Sequence, residues 1–231
     1  MPLPKFDPRT APVVGIDRHL APVEARQLTP AALRRRFLNP PAWTPKHSAE
    51  MTSPSRLPVA AAVLIALVMR QELMLLLTQR TDNLSTHPGQ IALPGGRSDE
   101  ADADAVATAL REAQEEIALP RSYVDVLGLL PTYATGTGFV ITPVVALVRT
   151  GFTLERNPGE VADIFEVPIS YLMNPAHHRW HEHTSEGVMR QWLSMPYLHS
   201  GVRPSELGPQ ERFIWGATAG MLRNLYCFLS A

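Results

Sequence analysis

The stretch GGRSDEADADAVATALREAQEEIAL, Gly95 to Leu119, decides how this chain reads. It follows Pro94 in a Pro-Gly-Gly turn, runs on as an acidic loop and ends in a helical pattern. At about 100° per residue, Val106, Leu110, Ala113 and Ile117 fall on one side of that helix. Glu112, Glu115 and Glu116 fall on the other, spaced i, i+3 and i+4, so their carboxylates are neighbours. Like charges this close repel unless a cation sits among them. A solvated acidic face is the ordinary alternative for such a run. The glycine turn ahead of the helix and the Arg111-Glu112 start turn the reading toward a metal-holding helix.

Arg111 to Leu119, REAQEEIAL, resembles the second half of the Nudix box, which closes Arg-Glu-(apolar)-x-Glu-Glu-x-Gly-(apolar). Ala118 stands at the glycine position, a change expected to cost little if the backbone there is helical. One extra loop residue aligns Gly96 with the start of the box and places an acid, Asp102, six positions later. Upstream, Leu76 to Thr81, Leu84, His87 and Gly89 to Gly96 resemble the signature of the coenzyme A pyrophosphatase branch, with Leu93 where that branch commonly has Phe. Thr137 to Val145 and Glu160 to Pro168 are similar to the same branch. The resemblance spans roughly residues 57 to 229. It implies a Nudix-like α/β/α sandwich with a mixed β-sheet, a Mg²⁺ or Mn²⁺ cofactor, a small nucleotide substrate of the coenzyme A class and a homodimer.

Bulk properties agree with an enzyme of small molecules. The chain has 231 residues, 45% hydrophobic and 19% charged, the make-up of an ordinary globular protein. A net charge of -1 argues against general nucleic-acid or membrane-surface binding. A lone cysteine, Cys227, allows no internal disulfide and suits a reducing, cytoplasmic setting; its apolar surroundings suggest a buried, inert thiol. The start shows no signal-peptide run, and Val59 to Met69 is too short to span a bilayer.

Residues 1–56 differ from the remainder. Recurrent prolines, Pro2, Pro4, Pro12, Pro22 and Pro54 among them, exclude long helices and central strands. Thr29 to Leu38 is the exception: Thr29 caps, Pro30 suits the first helical position and Pro40 stops the run. Arg34, Arg35 and Arg36 on that helix are expected to face water or a neighbouring acidic surface. The Pro-rich N-terminal extension is thus expected to pack on the 57–231 domain or on a partner subunit.

From Leu57 on, Val59–Met69 and Leu73–Arg80 predict a hairpin of buried strands, and Ile91–Leu93 a short strand entering the glycine turn. Asp102–Ala118 predicts the acidic helix. Val124–Leu130, Phe139–Thr150 and Ile164–Val167 predict further strands, and Pro168–Met173 a short helix. His177–His183 and Val188–Leu193 predict a hairpin whose histidines are exposed, and Pro209–Ser230 a long helix with Phe213 on its inner face. Strands mixed with helices imply an α/β/α sandwich.

For the chemistry, Mg²⁺ takes oxygen ligands, keeps waters and is commonly held by one or two carboxylates plus substrate phosphates. Glu112 and Glu116 are the expected ligands, with Glu115 as a third. Arg111 lies to one side by helical geometry and is expected to brace the preceding loop. Arg80, at a strand end, and Arg97, after the turn, are candidate phosphate contacts; a solvated cation is the alternative for each. Gly95 and Gly96 let backbone N–H groups approach a ligand closely. Glu160 is a candidate base, by analogy with other Nudix enzymes, and His87 belongs to the branch signature as a loop hydrogen-bonder or a catalytic group. The reading is a metal-dependent diphosphatase of coenzyme A or its derivatives. ADP-ribose, NADH or a dinucleotide as substrate is the first alternative, and a non-catalytic nucleotide sensor the second.

Overall fold

The computed structural model describes residues 7–46, 57–84, 87–185, 188–199 and 210–231. Its centre is β2 (Val59–Met69), antiparallel to β3 (Leu73–Arg80) and parallel to β8 (Phe139–Val148) over ten register pairs. Residues 61–68 are buried, as expected of a strand covered on both faces, which explains its unbroken VAAAVLIALVM run. Around this core the first sheet takes β4 (Ile91–Ala92), β5 (Gly95–Arg97), β6 (Val124–Leu129), β7 (Tyr133–Ala134) and β9 (Val161–Pro168). Only β2–β8 among its pairings is parallel, so the sheet is mixed.

The two faces of β2 sort its side chains. Ala62, Leu64, Ala66 and Val68 pack with Ala109, Leu110, Ala113 and Ile117 of α2 (Ala105–Ile117). Alanines at two of those β2 positions let the helix come close to the sheet. Val63, Ile65 and Leu67 face the larger cluster, which draws on α1 (Pro30–Leu38), α4 (Gly216–Ser230) and a second sheet. That second sheet is antiparallel, ordered β1 (Val13–Ile16), β10 (Arg179–Ser185), β11 (Val188–His199) and β12 (Gln210–Trp215). The outer layer on this side is therefore helices plus a sheet, which the strand pattern alone did not suggest.

The N-terminal segment is built into the body. β1 pairs with β10, Leu33 of α1 is fully buried, and Tyr226 donates to the Ala21 carbonyl at 2.8 Å. Arg34 meets Asp125 at 2.6 Å, whereas Arg36 donates to the carbonyls of Leu229 (3.0 Å) and Ala231 (2.9 Å) at the end of α4. β1 is an edge strand, where flanking prolines are tolerated. Pro2, Pro4, Pro54 and Pro209 lie outside the described residues.

Three expectations need correction. Gln210–Trp215 is a strand, and the last helix starts only at Gly216, because Phe213, Ile214 and Trp215 favour extended pairing with β11 and Gly216 turns the chain at φ 61. His178 and His181 are buried and bonded: His178 sits between the Leu172 carbonyl and Arg223, His181 between the Ala11 carbonyl and Ser194. The N-terminal strand and α4 cover that part of β10, so an exposed histidine face does not form. Cys227 is only half-buried, and burial pushes its thiol up. Among the described residues no helix is long and apolar enough to cross a membrane.

Candidate active site

The glycine turn and the acidic helix meet because β5 is stitched to the start of β2, with Ala62 opposite Gly96 and Val63 opposite Gly95. A side chain at Gly95 would have its Cβ 2.3 Å from the Ala62 carbonyl, so the strand fits only as glycine. Gly96 serves α2 instead: a Cβ there would lie 2.5 Å from the Glu112 carboxyl. The helix is fixed at its N-terminus by Asp104, whose carboxylate accepts from the Ala107 amide at 2.8 Å. At the other end the Leu119 amide reaches back to the Ala113 carbonyl (3.3 Å) around Ala118. Ala118 is left-handed, φ 53 and ψ 31, not helical as assumed from its propensity, so alanine is strained at this glycine position.

Glu112 and Glu116 lie one turn apart and converge on β5. Glu116 is 4% exposed and accepts from the Gly95 amide at 3.1 Å. Burial pushes its carboxyl up to about 7; Glu112 and Glu160 add to the rise, whereas the Gly95 N–H and Arg80 oppose it. Burial likewise raises Glu112, with Arg111 working against it and Glu115 and Glu160 with it. Two acids held partly out of water and close together are the arrangement that a divalent cation would relieve.

Arg111 does brace the acidic loop. It forks onto Asp102 at 3.0 and 2.9 Å, donates to the Arg97 carbonyl at 3.0 Å and reaches Glu112 at 2.9 Å. Asp102 is thereby held well below the usual carboxylate range and also accepts from Thr108 at 2.9 Å. Glu115 is mostly exposed and pairs with Arg111 at 3.0 Å, through the same Nη1 that reaches Glu112. Among the described residues no three His, Cys, Asp or Glu side chains gather as a ready cation cage.

Arg80 and Glu160, at the end of β3 and in the turn before β9, lie near enough for their charges to act on Glu116. Arg80 stands at the end of β3, its Nε buried without a hydrogen-bond partner. Glu160 is exposed in the turn before β9, and its carbonyl accepts from the Thr81 amide at 3.0 Å. The segment leading into this turn is docked on the end of α2, Asn157 N–H to the Glu116 carbonyl at 2.8 Å. Arg97 is exposed beyond the turn, and His87 has a left-handed backbone, φ 55. Sequence reasoning missed Arg212 and Asp163, which are joined beside the β3–β9 rim. The available signal was a charge placed next to the apolar run Phe213-Ile214-Trp215.

The NUDIX domain model matches residues 57–188. Among curated relatives, the "Uncharacterized Nudix hydrolase NudL" of Yersinia enterocolitica is 41% identical over 165 residues, covering 71% of this chain and 78% of that one. The protein of the same name in Escherichia coli K12 is 39% identical over 166 residues, covering 71% and 80%. Of solved structures, a C. elegans Ap4A hydrolase binary complex aligns at TM-score 0.42 and 20% identity, over 51% of this chain and 85% of that one.

Proposed function

The chain belongs to the Nudix hydrolase family, and from that premise we propose that it cleaves the diphosphate linkage of coenzyme A or its derivatives. Water adds to one phosphorus, the bridging P–O bond breaks, and 3′,5′-ADP and 4′-phosphopantetheine (or its acyl form) leave. The observation that carries the reaction is the Glu112/Glu116 pair, raised by burial and pressed against a glycine strand. The choice of coenzyme A is supported by the sequence between Leu76 and Gly96, which resembles that branch.

Each residue has a part. Glu112 and Glu116 would hold Mg²⁺ or Mn²⁺, with Glu115 swinging in from Arg111 as a third ligand; hard carboxylate oxygens suit such ions. Once bound, the cation neutralises the diphosphate and lowers the pKa of a coordinated water. Arg80 and Arg97 bind phosphate oxygens, and the Gly95–Gly96 backbone lets the substrate come near. Glu160 accepts the proton of the attacking water. Arg111 holds Glu112 and the acidic loop in place. Such reactions ask a protein mainly for positioning and charge stabilisation, which this set provides.

The test is product analysis with Mg²⁺ on coenzyme A, ADP-ribose, NADH and a diadenosine polyphosphate in parallel. Preferential release of 3′,5′-ADP from coenzyme A is the expected result. Faster cleavage of another member keeps the metal helix and discards the coenzyme A reading. Nucleotide binding without turnover of any would assign a sensor.

A further inference from the structure

The sheet edge beside the glutamate pair is irregular. β9 and β3 pair in step from Met74↔Pro168 to Gln79↔Asp163, but the next pair is Arg80↔Val161. Ala162 is therefore an extra residue, a β-bulge. Bulges bend a strand and re-aim the side chains next to them. Here those neighbours are Arg80 and, through the Thr81–Glu160 backbone bond, the turn carrying Glu160.

The bulge is held from two sides. Arg156 Nη1 donates to the Ala162 carbonyl at 2.6 Å. From β12, in the other sheet, Arg212 Nη1 donates to Gln79 Oε1 at 2.6 Å, and Nη2 pairs with the Asp163 carboxylate. Its guanidinium lies 4.4 Å from the centre of the Phe165 ring. Gln79 and Asp163 are the register pair just before the bulge. Arg212 is 6% exposed, and its Nε is buried without a hydrogen-bond partner. A buried ion pair contributes little net stability, and apolar replacement is often neutral or better. What an arginine fork supplies at such a place is geometry, because its plane fixes two donor directions at once.

We infer that Arg212 is a positioning residue for diphosphate cleavage: it clamps Gln79 to Asp163 so that the bulge aims Arg80 and Glu160 at the Glu112/Glu116 pair. It acts through β3 and β9 and touches no reacting atom. The inference rests on the reading of that pair as the reaction centre.

Arg212→Met removes the fork and keeps most of the stem's volume. The expected variant stays folded and binds Mn²⁺ within about twofold of the unaltered protein, since Glu112 and Glu116 are intact. Its kcat falls roughly tenfold or more, the scale on which small misplacements act. Amide exchange at Thr81, read by NMR or by mass spectrometry of the peptides around 79–82, accelerates. Asp163→Asn, at a half-exposed side chain, shifts both readouts the same way, and the double variant loses less than the product of the single losses. A folded Arg212→Met with kcat within twofold of the unaltered protein, or with unchanged exchange at Thr81, overturns the inference. If Arg212→Met does not fold, Asp163→Asn decides on the same two readouts. The variants are assayed on whichever diphosphate the unaltered protein cleaves. A wrong substrate thus shows in the unaltered protein, and a wrong role for Arg212 only in the variants.

Discussion

The Gly95 amide donates to Glu116 Oε2 at 3.1 Å, locking the glycine strand to the last turn of the acidic helix. That bond favours the ionised carboxyl from the backbone side, and it does not offset burial, since Glu116 still sits at about 7. The helix therefore carries a carboxylate the fold would rather have neutral. Function, not stability, is the reason to keep it there.

Glu116→Gln separates the two. Unfolded, the carboxyl ionises at its ordinary value of 4.5; folded, at about 7. The folded state binds the proton more tightly, so this group's contribution is favourable below pH 4.5 and is lost as pH rises through 7. The loss is about 3 kcal/mol when 2.5 pKa units are converted at 1.36 kcal/mol each. In chelator at pH 8, urea unfolding should find the glutamine variant more stable than the parent, with the difference vanishing near pH 4. Turnover with Mg²⁺ should be abolished. Near-normal turnover would remove Glu116 from the metal site.

Gly96→Ala should harm activity more than folding. The added Cβ would lie 2.5 Å from the Glu112 carboxyl, the free end of a side chain that can swing aside, and Ala62 opposite leaves the strand pairing intact. Displacing one proposed ligand by about an ångström is expected to lower kcat/KM roughly a hundredfold. The thermal midpoint should move only a few degrees. Steady-state kinetics across a Mg²⁺ titration decide it; unchanged kinetics would mean that Glu112 does not work from its position beside Gly96.

Ala118→Gly should stabilise the chain. A left-handed non-glycine residue costs roughly 1–2 kcal/mol, and the added freedom of glycine in the unfolded state returns about 0.4–1 kcal/mol of that. A net gain near 1 kcal/mol in urea unfolding is expected, with turnover unchanged. A loss of stability would show that the Ala118 methyl packs well enough to outweigh its backbone.

The elements that depend on local pattern were legible. Val59–Met69 read as a buried strand from its unbroken apolar run, and α2 from its period and its proline stop. Helical geometry sets Arg111 to one side of the acids, and there it forks onto Asp102. What escaped depends on partners far along the chain. Gln210–Trp215 is extended because β11 lies next to it, and helical spacing of Phe213, Ala217 and Met221 cannot reveal that. Helix propensity favours alanine at 118, whereas the left-handed turn that brings the Ala118 amide to the Gln114 carbonyl and the Leu119 amide to that of Ala113 sets its conformation. The burial of His178 follows from α4 supplying Arg223. Glu115 differs from its two neighbours in staying mostly exposed, a choice that i, i+3 and i+4 spacing leaves open.

His178 should make the protein acid-sensitive. Its Nε2–H donates to the Leu172 carbonyl at 2.8 Å, and Nδ1 accepts from Arg223 Nη1 at 2.8 Å. Both bonds need the neutral ring with its proton on Nε2; a second proton on Nδ1 would face the Arg223 guanidinium. Burial, chiefly, then Arg223 and His177, lower the ring to about 4 from 6.5, with the Leu172 bond and Asp17 pulling the other way. A depressed histidine gives stability that is full above pH 6.5 and is lost as pH falls toward 4. That loss is about 3 kcal/mol, as 2.5 pKa units convert to. His178→Gln can donate to Leu172 without titrating, so its stability relative to the parent should improve across that window. Urea midpoints of the two proteins at pH 7.5, 5.5 and 4.5 provide the comparison. Parallel pH profiles would mean that the folded protein accommodates the charged ring, with Asp17 drawn in to meet it.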